Sequence, residues 1–133
     1  MTDAEPFTEQ EKENMIEMLT DTLHALVNEK IENPKWKEKL ERIGFKINLE
    51  LPSVGVIHLD LEKGGKYDIG RGPISNPIIE IKAPLENFFN FSSRQMSTFS
   101  AIFLGKLKIK GKRHLLTLLD VGNVLRIIPE SQL

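Results

Sequence analysis

At Gly44 the hydrophobic period of this chain changes from that of a helix to that of a strand, and this change bounds the fold. Before it, Met15, Ile16, Leu19, Leu23, Leu26, Val27 and Ile31 recur at three- and four-residue steps, while Glu13, Glu17, Asp21 and Glu29 point in other directions. That is the pattern of an amphipathic helix. After it, Phe45, Ile47, Leu49 and Leu51 alternate with Lys46, Asn48 and Glu50, which predicts a strand with one buried face. Helices followed by strands in a chain of 133 residues define an α+β protein of one domain, since single cores commonly cover about 100 to 200 residues.

Boundary signals divide the chain further. Thr8 followed by Glu11 forms a capping box and starts the first helix, leaving residues 1–7 as an acidic tail. Asn33-Pro34 restarts a helix, with asparagine as cap and proline at the first helical position; Trp36, Leu40 and Ile43 form its face, and Gly44 is placed to end it in a left-handed conformation. Strands are predicted at 54–62, with Ile57, Leu59 and Leu61 inward, and at 66–71 and 77–82. Short connections between them favour antiparallel neighbours. PLENFFNF then reads as a short helix carrying Leu85, Phe88 and Phe89, and Ser97 caps a second, with Phe99, Ile102 and Phe103 on its apolar face and Gly105 as its stop.

Five of the eight residues at 106–113 are basic. Alternation makes this tract a strand, with Leu107 and Ile109 on one side and Lys106, Lys108 and Lys110 on the other. Lysines so placed face water and discourage edge pairing. The closing segment, HLLTLLDVGNVLRII, is apolar over too wide an arc for a one-sided helix. It is buried on several sides, meets a partner or lines a cavity; a break at Gly122 would leave 124–128 extended up to Pro129.

Much chemistry is excluded by what these patterns lack. No cysteine is present, which removes disulfides, thiolate metal sites and cysteine nucleophiles. GGKYDIGRG has the glycine spacing of a phosphate loop, but Arg71 and Gly72 stand where lysine and a hydroxyl residue are required, so its glycines bend a hairpin. His24, His58 and His114 have no metal-ligand spacing and fall in different elements. No G-x-S-x-G elbow occurs, and alternation alone puts Asp60 and Glu62 on one strand face. The chain is therefore expected to be no enzyme and to hold no metal or cofactor. Nor is it expected to bind nucleic acid: the lysine strand carries no aromatic residue, and Tyr67 is the only tyrosine. No apolar run approaches the roughly 18 residues of a membrane span, and the acidic N-terminus is unlike a secretory signal, so the expected location is cytoplasmic. The C-terminal Ser-Gln-Leu puts an amide where the peroxisomal signal has a cation. A net charge of −1 conceals −7 over residues 1–33 and +6 over 34–133, as expected of an acidic helix against a mildly basic body.

The order of elements, together with IIEIKAPLENFFNF and above all MSTFSAIFLGKLKIKG, resembles the sterol carrier protein 2 family of non-specific lipid-transfer proteins. The likeness covers residues 8–128 and is most specific at 105–111. It implies a roughly five-stranded antiparallel sheet covered by about five helices, with a hydrophobic tunnel between the layers. It also implies non-covalent binding of fatty acid, acyl-coenzyme A, phospholipid or sterol-like ligands. On that basis the cavity is expected to be lined by Phe88, Phe89, Phe99, Ile102, Phe103, Leu107, Ile109, Leu115, Leu118 and Leu119. The lysines at 106, 108 and 112 with Arg113 are available for a transient membrane-surface contact. The alternative is a closed-core structural or dimerisation module, such as a homodimer or a support for a partner enzyme.

Overall fold

Two helices, a sheet and three shorter helices follow one another in the computed structural model, which describes residues 7–111 and 115–129. They are α1 (Glu9–Glu32), α2 (Pro34–Leu40), β1 (Phe45–Leu51), β2 (Gly55–Leu61), β3 (Tyr67–Arg71), β4 (Ile79–Lys82), α3 (Leu85–Ser92), α4 (Thr98–Phe103), β5 (Lys108–Lys110) and α5 (Leu115–Val124). The acidic segment 1–6, Lys112, Arg113, His114 and the terminal Ser-Gln-Leu lie outside the described residues.

Both halves of the expected capping box form. The Thr8 hydroxyl accepts from the Glu11 amide at 3.1 Å, and the Thr8 amide donates to the Glu11 carboxylate at 2.8 Å. Asn33 ends α1 and starts α2, its side-chain oxygen accepting from the amides of Lys35 and Trp36. Gly44 does not serve as expected: α2 ends at Leu40, and Gly44 is not left-handed. The helix end is instead satisfied from a distance, by the Gly64 amide donating to the Leu40 carbonyl at 2.6 Å. A Cβ at Gly44 would stand 3.2 Å from Lys63 Cγ, so glycine there admits the 62–65 turn.

The five strands lie in the order β3-β2-β1-β4-β5. Three pairings are antiparallel as expected, but β1 and β4 run parallel, so the sheet is mixed. The cause is the connection after β3. From Gly72 the chain crosses the open face of the sheet, where Asn48 of β1 grips Ile74 on both sides, accepting its amide at 2.7 Å and donating to its carbonyl at 3.2 Å. The chain thus enters β4 beyond β1 instead of beside β3. Register aligns Ile57, Leu49, Ile81 and Ile109 in one row across four strands.

That row belongs to the covered face. α1 packs against β2, β3, α2 and α5 and is tied to the β3 edge by Arg71, whose guanidinium donates twice to the Glu13 carboxylate at 2.5 and 2.7 Å. Tyr67 adds a hydrogen bond to Asn28 at 2.8 Å. Phe88 and Phe91 of α3, Ala101 of α4, and Leu118, Val121 and Val124 of α5 join the sheet residues in one buried cluster. α5 runs through Gly122 without a break. A Cβ there would lie 3.2 Å from the Thr98 hydroxyl, so the glycine lets α5 approach the first residue of α4. The break at Gly122 that would have left 124–128 extended does not occur: Val124 is helical and is followed by a turn at Leu125 and a bend at Arg126.

Candidate ligand-binding layer

The layer formed by α3, α4 and α5 over the sheet begins with the phenylalanines of α3. Pro84 and the apolar spacing of LENFFNFS turn Phe88 and Phe91 inward, with ring centroids 6.5 Å apart, and leave Phe89 half-buried, 6.3 Å from Phe88. Tilted pairs at this separation are favourable beyond the area they bury. Ser97 then caps α4 by accepting from the Ser100 amide at 3.0 Å. Ala101 is buried and Ile102 is packed against the core. Gly105, at φ 73°, ends the helix as expected, and the Ala101 carbonyl receives the amides of both Lys106 and Leu107.

Of the ten residues expected to line a cavity, Phe88, Leu107, Ile109 and Leu118 are buried in this layer, and Phe89 and Ile102 pack against it. Phe99 lies on α4 and Leu115 opens α5; their side chains lie outside what is described. Phe103 is 80% exposed and Leu119 50% exposed, so both are at the surface of the layer. Lys106, Lys108 and Lys110 face water. A groove of about 350 Å³ lies near β4 and β5, bordered by Glu50, Glu80, Lys82, Lys108 and Lys110. Val56, Pro73, Ile81 and Ile109 also line it, so it is an apolar trough with a charged border, apart from the α3–α5 layer.

Two buried cations, unexpected as site residues, close the layer. Arg126 is 9% exposed and, among the described residues, bonds to no carboxylate: Nε donates to the Phe91 carbonyl at 3.2 Å, Nη2 to the Met96 carbonyl at 2.9 Å, and Nη1 approaches the Thr98 hydroxyl at 3.4 Å. Its charge lies 5.2 Å from the Phe91 ring centroid. Burial, with the neighbouring Arg94 charge, holds its pKa below the usual guanidinium value. Lys30 is fully buried at the end of α1, donating to the Arg126 carbonyl and to Glu29. Glu29 also accepts the Ile128 amide at 3.0 Å. Desolvation pulls the Lys30 pKa below its ordinary range, and Glu29 partly offsets this. The segment after α5 is thereby clamped between α1 and the α3–α4 turn. No group of three or more metal-ligating side chains occurs among the described residues, and no described helix is long and apolar enough to cross a membrane.

One sheet, one covering layer and an apolar interface between them define an α+β class that buries hydrophobic surface on a single sheet face. Within that class the chain matches the model of the SCP-2 sterol transfer family over residues 16–121, and it belongs to that family. Membership places it among proteins of lipid binding and transfer. Its fold is similar to that of the SCP2 part of a ubiquinone synthesis protein, UbiJ, at 14% identity and a TM-score of 0.66, covering 81% of this chain and 93% of that one. It is also similar to sterol carrier protein domain 2 of Helicoverpa armigera, at 18% identity and a TM-score of 0.57, covering 80% and 88%. A third likeness is to part of the inverting sec-alkylsulfatase Pisa1 from Pseudomonas sp., at 17% identity and a TM-score of 0.58, covering 70% of this chain and 14% of that enzyme. Among curated protein sequences, none matches.

Proposed function

We propose that the protein is a non-enzymatic, cytoplasmic carrier that takes up and passes on single hydrophobic ligands of the fatty-acid, acyl-coenzyme A, phospholipid or sterol-like kind. The ligand would lie between the covered sheet face and α3–α5. Phe88, Phe89, Phe99, Ile102, Leu107, Ile109, Leu115 and Leu118 would form its walls, with Phe103 and Leu119 at its rim. The observation that carries this reading is the makeup of that layer: apolar rings and aliphatic side chains mounted on three short helices of 8, 6 and 10 residues. Burial of a ligand methylene contributes about 0.8 kcal/mol, so apolar walls suffice and selectivity is loose.

Native mass spectrometry of the purified protein, followed by extraction of whatever co-purifies, tests the proposal. Lipid bound at one per chain, displaced by a fluorescent fatty acid, is the expected result. Failure of both sends the protein to a second reading, that of a closed structural module acting as a homodimer or beside a partner enzyme. That reading is favoured by the burial of Phe88, Ala101, Val121 and Leu125, and by the likeness to a small part of the larger alkylsulfatase.

A further inference from the structure

Three cations converge on the segment that follows α5. Arg94 Nε donates to the Ile127 carbonyl at 2.6 Å, Lys30 donates to the adjacent Arg126 carbonyl, and the Arg126 side chain reaches back to the turn that carries Arg94. Glu29 is the one carboxylate that joins them among the described residues, and it is shared between Lys30 and the Ile128 amide. Neither arginine takes part in an ion pair among the described residues. Burial first, and the Arg94 charge after it, depress the pKa of both Lys30 and Arg126, so these charges act on one another. Three cations against one carboxylate leave a surplus of positive charge in a partly buried place.

The backbone at Arg94 is strained to put it there. α3 ends with the Arg94 amide donating to the Phe91 carbonyl at 3.1 Å and the Gln95 amide to the Asn90 carbonyl at 2.8 Å. That pattern calls for a left-handed residue at position 94, where glycine is the usual occupant, yet arginine stands there at φ 66°. Such strain persists where the side chain has a use. The bond to Ile127 engages Nε alone, and both terminal nitrogens of Arg94 are without an acceptor among the described residues. Arg126, 9% exposed, keeps a second N–H on each terminal nitrogen beyond its bonds to Met96 and Thr98. The frame is fixed, because the Ile127 amide also donates, to the Ser92 carbonyl at 2.8 Å.

We propose that Arg94 and Arg126, backed by Lys30, form a binding site for a doubly charged phosphate group where the α3–α4 turn meets the segment after α5. Guanidinium groups match phosphate oxygens with paired N–H donors, and a dianion balances the surplus charge. A carboxylate brings a single charge and is the poorer occupant. Two sources present this chemistry: free phosphate, and the phosphomonoester head of an apolar ligand whose tail enters the α3–α5 layer. Only the second source rests on the carrier reading.

Titration calorimetry of the full chain tests this, at constant ionic strength and about pH 8, where phosphate carries close to two charges. Inorganic phosphate should bind saturably at one per chain, and acetate about tenfold more weakly or worse. Arg94→Gly should weaken phosphate about tenfold or more. Glycine suits the left-handed backbone, so this variant keeps its fold, as circular dichroism checks. Arg94→Lys should recover only part of the affinity, and Lys46→Gln, an exposed cation on the open sheet face, should change nothing. Dodecyl phosphate and dodecanol separate the sources. If dodecyl phosphate binds more tightly than phosphate and Arg94→Gly weakens it while sparing dodecanol, the occupant is a ligand head; if the tail adds nothing, it is free phosphate. The proposal is overturned by the absence of saturable phosphate binding, by equal binding of acetate, by undiminished binding in Arg94→Gly, or by an equal loss in Lys46→Gln. Dodecanol uptake reads the apolar layer alone, so failure of the phosphate site and failure of carriage are distinguishable.

Discussion

Among the described residues, Arg126 contributes to stability through the carbonyls it satisfies. Its guanidinium supplies the carbonyls of Phe91 and Met96, and those carbonyls lie where α3 gives way to α4. Arg126→Met keeps the bulk and removes the donors, so it should cost about 3 kcal/mol in urea unfolding, the penalty for buried acceptors left unmet. Arg126→Lys should recover only part, because a point charge cannot serve three directions. Lys30 predicts a pH effect of defined sign. Its folded pKa lies below the ordinary 10.5, so between the two values the unfolded chain binds more protons. Stability should then rise as the pH climbs toward 10.5, and the rise should be smaller in Lys30→Met. Traces of both residues were present in the sequence. Lys30 follows Leu26 and Val27 at steps of four and three, which puts it on the apolar stripe of α1, and Arg126 is the one charge in VLRII. What pattern could not supply was the partners, because Lys30 meets the Arg126 carbonyl across 96 positions of sequence.

Elements whose signals are local were the most legible. The cap at Thr8, the alternation of β1 and β2, the Pro84 start of α3, and the Ser97 cap and Gly105 stop of α4 all depend on residues a few positions apart. The parallel pairing of β1 with β4 was not legible, because it depends on Asn48 holding Ile74, 26 positions away, and an outward asparagine on a strand looks like any solvated residue. Gly44 and Gly122 were misread for the same reason: each makes room for a distant neighbour, and neither turns or breaks its own helix. Gly105 and Gly111 allow a test of this distinction. Both have positive φ, 73° and 98°, but a Cβ at Gly105 meets nothing, whereas one at Gly111 runs into the Ile78 carbonyl beside β4. Gly105→Ala should cost about 1 kcal/mol, the left-handed penalty alone. Gly111→Ala should cost more than about 2 kcal/mol. It should also raise amide exchange at Lys108–Lys110 as β5 separates from β4, a change that Gly105→Ala should not produce.

For the whole molecule, the open question is whether the apolar layer is a wall around a ligand or a finished core, and volume decides it. Leu118 is buried on α5 among the residues proposed as lining. In a close-packed core, Leu118→Trp has nowhere to put its added atoms and should cost about 1–3 kcal/mol by displacing neighbours. In a carrier the indole fills space otherwise taken by ligand, so the unliganded protein should lose less than about 1 kcal/mol, and fatty-acid uptake should fall sharply. Uptake by the unmodified chain has its own thermodynamic mark. A ligand at a hundred times its dissociation constant stabilises the folded state by about 2.7 kcal/mol, which raises the melting temperature. Leu118→Trp should abolish that shift. A large loss of stability without any ligand-dependent shift in the parent protein would instead identify the layer as a core, and the family's fold would here serve assembly.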